Sequence, residues 1–167
     1  MHPLPPPGAT ARPSRTPPAC FARSGQAAAI AVLLACLPAT WPAKAADGAG
    51  DSALAEQVHE AVNSYRASQQ LPALRLSAEL AQLAAEHSQT LSAQRQLTHA
   101  GFQARFERAR RQTCVENLAA GFTRPEPMLA GWRRSADHHR NLLDARVQEV
   151  GVASVAGHVT WLACSAR

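Results

Sequence analysis

The composition breaks at residue 45, and that break limits how much of the chain can fold as one domain. Nine of the twelve prolines lie in residues 1–45, which hold no acidic side chain. Arg12, Arg15, Arg23 and Lys44 are the only cationic side chains there. The run Ala27-Ala28-Ala29-Ile30-Ala31-Val32-Leu33-Leu34-Ala35 is apolar but too short to span a bilayer. Prolines on both sides argue against a buried helix of the fold. A basic lead-in, a short apolar run and Ala43-Lys44-Ala45 have the form of a secretory signal. Residues 1–45 are therefore expected to be a signal peptide with an N-terminal extension, and the protein to be exported to the periplasm or beyond the cell. Leu33-Leu34-Ala35-Cys36 offers a second route, a lipid anchor on Cys36, against which Leu34 is an unusual residue two places before the cysteine. Residues 46–52 are small, polar and glycine-containing and read as a linker, leaving 53–167 as the folded domain.

Without the leader the electrostatic reading changes. The remaining 122 residues carry thirteen arginines, no lysine and twelve acids, a net charge of 13 − 12 = +1. The basic balance belongs mostly to the leader, and a nucleic-acid partner, which needs a concentrated basic face, is not expected. Arg105, Arg108, Arg110 and Arg111 cluster locally and read as a solvated helix surface. Two cysteines remain, Cys114 and Cys164. In an exported domain an even pair points to a disulfide.

Hydrophobic spacing then supplies the elements. Leu54, Val58, Ala61, Val62 and Tyr65 recur at helical intervals until Gln69-Gln70, and Leu71-Pro72 opens an extended connection. Ser77 is a candidate N-cap for a second helix with Leu80, Leu83, Ala84, His87 and Leu91 on one face. His87 on that apolar face reads as a hydrogen-bonded core histidine. Phe102, Phe106 and Ala109 suit a short third helix. Val115 to Gly121 reads as a short strand or extended segment. Glu126 to Arg134 forms a fourth helix with Trp132 facing inward. Val147–Val155 and His158–Cys164 flank Ala156-Gly157 as a β-hairpin, with Val159, Trp161 and Ala163 on one face. Helices first and paired strands last imply an α/β layered domain.

Three polar spots stand at the breaks between elements: His99, Glu116 and Ser135-Ala136-Asp137-His138-His139-Arg140-Asn141. No zinc-protease helix, nucleophile elbow or phosphate loop accompanies them. Adjacent helical residues point about 100° apart, so His138 and His139 cannot both serve one site.

The residues resemble a known family in order along the chain. Val62-Asn63-Ser64-Tyr65-Arg66 followed by Leu71-Pro72-Ala73-Leu74 resembles the opening of the CAP superfamily of cysteine-rich secretory, antigen 5 and pathogenesis-related-one proteins. Leu80-Ala81-Gln82-Leu83-Ala84-Ala85-Glu86-His87-Ser88 is similar to its second helix. Thr98-His99 resembles its first histidine motif, and Glu116-Asn117-Leu118-Ala119-Ala120-Gly121 its Glu-Asn motif. Trp132 to Leu143 is similar to the tryptophan-serine-histidine-asparagine segment of bacterial members. Glu149-Val150-Gly151-Val152 and Val159-Thr160-Trp161 resemble its last two strands.

This resemblance implies a three-layer α-β-α sandwich with a small, mostly antiparallel sheet between helices. It also implies a cleft where His99, Glu116, Ser135 and His138 converge. The register of Ser135, His138 and Asn141 makes His138 the site histidine and leaves His139 on the surface, with Asp137 capping the turn before Leu142-Leu143. Ser135 stands where eukaryotic members carry a second glutamate, and Val115 where a glycine precedes Glu-Asn. His99 and His138 are candidate ligands for a divalent metal, zinc above all. The expected function is a binding protein for an unknown small-molecule, lipid or cell-envelope ligand rather than an enzyme. The alternative is a metal-assisted, peptidase-like hydrolase with Glu116 as general base.

Overall fold

Gly151 shows how closely the layers meet. A Cβ built on it would lie 2.0 Å from the backbone carbon of Leu80 and 2.2 Å from the Ala81 nitrogen, so the helix backbone rests directly on the sheet at that point. The structure, a computed structural model, describes residues 46–167. The expected signal peptide with its extension, and the alternative of an anchor on Cys36, fall on residues outside those described.

The elements run α1 (Ala46–Ser68), β1 (Arg75–Leu76), α2 (Ala78–Gln94), α3 (Phe102–Ala109), β2 (Cys114–Ala120), α4 (Pro125–Arg134), α5 (Ala136–Leu142), β3 (Glu149–Val155) and β4 (His158–Cys164). The sheet order is β1-β3-β4-β2, with β1 parallel to β3 and the other pairings antiparallel. The α/β sandwich and its mostly antiparallel sheet are thus as the sequence implied.

Strand alternation divides the core in two. Val159, Trp161 and Ala163 of β4 share one cluster with Leu54, Val58 and Val62 of α1 and with Met128 and Trp132 of α4. Leu162 and Cys164 of the same strand pack instead with Leu80 and Leu83 of α2 and Ala109 of α3. Between α1 and β1, Asn63 holds the extended connection by both backbone groups of Leu74: its Oδ1 accepts from Leu74 N at 2.9 Å and its Nδ2 donates to Leu74 O at 3.1 Å. Arg66 is buried and donates to the carbonyls of Pro72, Leu142 and Asp144. These bonds explain why an asparagine and an arginine sit one turn apart before Leu71-Pro72.

Two expectations change here. Residues 46–52 are not a linker, since α1 begins at Ala46. The reason is tertiary: the Asp51 carboxylate accepts from the Ser154 hydroxyl and, at 2.8 Å, from Ala156 N in the β3–β4 turn. Nor are the four clustered arginines one solvated surface. Arg108 pairs with Glu86 in solvent and Arg110 is exposed. Arg105, however, is buried, and the Arg111 side chain lies inside, 2.7 Å from Glu149 Oε2. Among the described residues, no helix is long and apolar enough to cross a membrane.

Candidate functional site

Strand β2 is the outer strand beyond β4, and it carries Glu116 to the base of a cleft of about 450 Å³. His99, Phe102, Cys114, Val115, Glu116, Ser135, Asp137, His138 and Asn141 all border that cleft. The loop after α2 supplies His99 and helix α5 supplies His138. Their ring centroids are 6.5 Å apart, tilted by 44°. The structure therefore brings His99, Glu116, Ser135 and His138 to one place.

The spacing of Ser135, His138 and Asn141 has a physical reason. Ser135 is the N-cap residue of α5, and residues three apart on a helix share a face. Asn141 uses that face to donate to Glu116 O at 3.1 Å and to Asn117 Oδ1 at 2.9 Å. Asn117 in turn donates to His138 O at 3.0 Å. The histidine backbone is thus tied to the strand that bears the glutamate.

Glu116 is almost fully occupied. Arg105 Nε lies 2.8 Å from Oε2 and Arg105 Nη2 lies 2.8 Å from Oε1, a fork-to-fork ion pair in the interior. His99 Nδ1 is also 2.9 Å from Oε1. His87 stands behind the pair, its Nε2 3.0 Å from Thr98 O and 3.9 Å from Glu116 Oε1; it is buried and hydrogen-bonded, as its place on α2 implied. Burial lowers the His87 pKa from its ordinary value, and the Arg105 charge lowers it further against the opposing pull of Glu116. Burial likewise lowers that of His138, reinforced by His99. Both rings are held toward the neutral form.

The sequence reading missed Arg105. Its signal was present: Phe102, Arg105 and Ala109 share one helical face, and a single arginine on an apolar stripe demands a buried partner. His139 also departs from the surface reading. Its Nε2 lies 2.7 Å from the Tyr65 hydroxyl, and Arg133 stacks over the same tyrosine ring at 4.5 Å. Asp137 does not cap the turn; it pairs with Arg140 in solvent, 3.0 Å away.

A resident catalytic zinc takes three protein ligands and keeps one position open. Two imidazoles are available here, and the carboxylate that would be third is claimed by Arg105. Among the described residues, no group of three or more His, Cys, Asp or Glu side chains is placed to hold a metal ion. The donor set does not fit a resident zinc.

The fold is an α/β sandwich with a histidine-lined cleft at one outer strand. The chain belongs to the cysteine-rich secretory protein (CAP) family, whose model matches residues 59–162. Among solved structures it is similar to an extracellular SCP-domain protein from Bacillus anthracis, at 24% identity and TM-score 0.65, over 70% of this chain and 41% of that one. It is similar also to a cysteine-rich secretory protein from Staphylococcus aureus, at 16% identity and TM-score 0.64, over 70% and 39% of the two chains. An outer surface protein from Borrelia burgdorferi matches at 18% identity and TM-score 0.59, over 67% of this chain and 92% of that one. The chain thus spans about two fifths of the length of the first two, and these likenesses speak to fold. No curated protein sequence matches it.

Proposed function

We propose that the protein is an exported binding protein whose ligand occupies the His99–His138 cleft. The observation that carries this reading is the commitment of Glu116. A carboxylate gripped at both oxygens by a buried guanidinium is poorly suited to take a proton from water, so it serves as the post to which the cleft is tied. What remains open is a binding surface: two imidazoles, the Ser135 side chain, Asp137 and the Phe102 ring. Export is supported by the form of the leader and by the extracellular and outer-surface descriptions of the structural relatives. Cleavage after Ala45 accounts for the leader better than acylation of Cys36, because of Leu34; N-terminal analysis of the mature protein distinguishes the two.

The test follows the two imidazoles by nitrogen-edited NMR while the full chain meets three probes in turn: phospholipid micelles, soluble peptidoglycan fragments and a pool of short peptides. At least one probe is expected to shift both rings, and Ser135→Trp, which fills the cleft, to abolish the shift. If no probe moves either ring, the cleft is not a ligand site. A metal-dependent turnover that is lost in folded His99→Ala and His138→Ala variants would instead establish the hydrolase.

A further inference from the structure

We infer that the cleft takes its ligand as an extended peptide, laid along the free edge of β2 as an added strand. The inference rests on the reading of the cleft as a binding site and names the ligand class.

The argument begins with which backbone groups of β2 face outward. Thr113 O accepts from Ser165 N at 2.9 Å, and Gly121 N donates to Gly157 O at 3.0 Å. Odd-numbered residues of this segment thus face β4, and the N–H and C=O of Cys114, Glu116 and Leu118 face away from it. Three further contacts agree. Asn141 donates to Glu116 O, and Trp132 Nε1 donates to Leu118 O at 2.9 Å. Cys114 and Cys164 stand opposite each other with Cα atoms 4.1 Å apart, the narrow spacing of a pair that exchanges no ladder bonds.

Along the outer edge, side chains of α5 and α4 thus take Glu116 O and Leu118 O. Among the described residues, nothing bonds the outward N–H and C=O of Cys114 or the outward N–H of Glu116. Those groups belong to the stretch that borders the cleft. Cys114, Val115 and Glu116 are consecutive and all three line it. Side chains alternate between the two faces of a strand, so a cavity that meets three in a row meets the strand from its edge. Exposed edges are usually blocked; here the N–H and C=O of Cys114 and the N–H of Glu116 stand at the cleft.

Two donors and one acceptor at strand spacing are the complement of an extended backbone, and strand addition is an established way to bind one. The walls suit alternate peptide side chains, with the Phe102 ring as an apolar contact and His99, His138 and Ser135 as polar ones. A lipid tail would leave the three backbone groups without hydrogen-bond partners.

The experiment selects binders for the full chain from a displayed library of random nonapeptides. It then measures the amides of Cys114 and Glu116 by NMR in complex with the selected peptide. Both are expected to shift and to exchange with solvent more slowly in the complex. N-methylation of the peptide should weaken binding at least tenfold at the one residue whose N–H meets Cys114 O and less than twofold at its two neighbours. If a peptide moves the His99 and His138 rings but leaves these amides unchanged, or if no single N-methylation weakens binding, strand addition is overturned while the cleft remains a site. If the library yields no binder while micelles or peptidoglycan fragments move the rings, the ligand is not a peptide.

Discussion

Arg105 and Glu116 form the ion pair about which the cleft is built: Nε and Nη2 of the guanidinium each sit 2.8 Å from one of the two carboxylate oxygens, in a place where neither side chain meets much water. Helix α3 and strand β2 are thereby locked together at the base of the site.

Arg105→Met strands a buried carboxylate, and breaking such a pair from one side costs about 3–5 kcal/mol. Chemical unfolding of the variant should show a loss of that size. Restoring much of it with Glu116→Gln in the same chain would locate the cost in the orphaned charge. A loss below about 1 kcal/mol would mean that water reaches the pair, as at a surface ion pair.

Cys114 and Cys164 are bonded, 50 residues apart in sequence. In the chain-entropy account, a loop of that length contributes about 4 kcal/mol by restricting the unfolded chain. Replacing both cysteines by alanine should lower the urea midpoint accordingly. Non-reducing mass spectrometry of the protein after periplasmic expression should recover the two peptides linked; two free thiols would refute the bond.

Gly151→Ala places a methyl group inside the backbone of α2 at Leu80 and Ala81. No rotamer relieves a clash of backbone against backbone, so the cost should reach about 3 kcal/mol or more. Unfolding with a near-normal midpoint would show that α2 can lift from the sheet. Gly131, where an added Cβ meets nothing, is the matched control.

The pH dependence has a definite sign. His87 and His138 both have folded-state values below their ordinary 6.5, chiefly through burial. The unfolded chain therefore binds protons that the folded chain resists. The stability these rings contribute is complete above pH 6.5 and is lost as pH falls below it. Unfolding free energy should drop between about pH 7.5 and 5.5, the range in which an ordinary histidine titrates. His87→Gln, which keeps a donor for Thr98 O, should reduce that drop. A flat or rising profile would contradict the direction.

Much of the fold was legible because it rests on local periodicity. The buried face of α2, the inward Trp132, the hairpin at Ala156-Gly157 and the two faces of β4 follow from spacing alone. The order of motifs carried the rest of the α/β sandwich. Four of the misreadings share one cause. Asp51, Arg105 and Arg111 are read from their neighbours in sequence, and His139 from the family register. Each is held by a residue far along the chain: Asp51 by the turn at Ala156, Arg111 by Glu149, His139 by Tyr65. Even Arg105, eleven positions from Glu116, reaches it only through the turn between α3 and β2.

The amino-acid sequence by itself determined the elements and the faces they bury, because helical and strand periods are written in adjacent residues; the grouping of His99, Glu116 and His138 came from the family resemblance. Only the tertiary structure decided what Glu116 does and which outward groups of β2 are taken. Both depend on donors and acceptors from separate elements meeting at hydrogen-bond distance, and no pattern along a single element encodes that meeting.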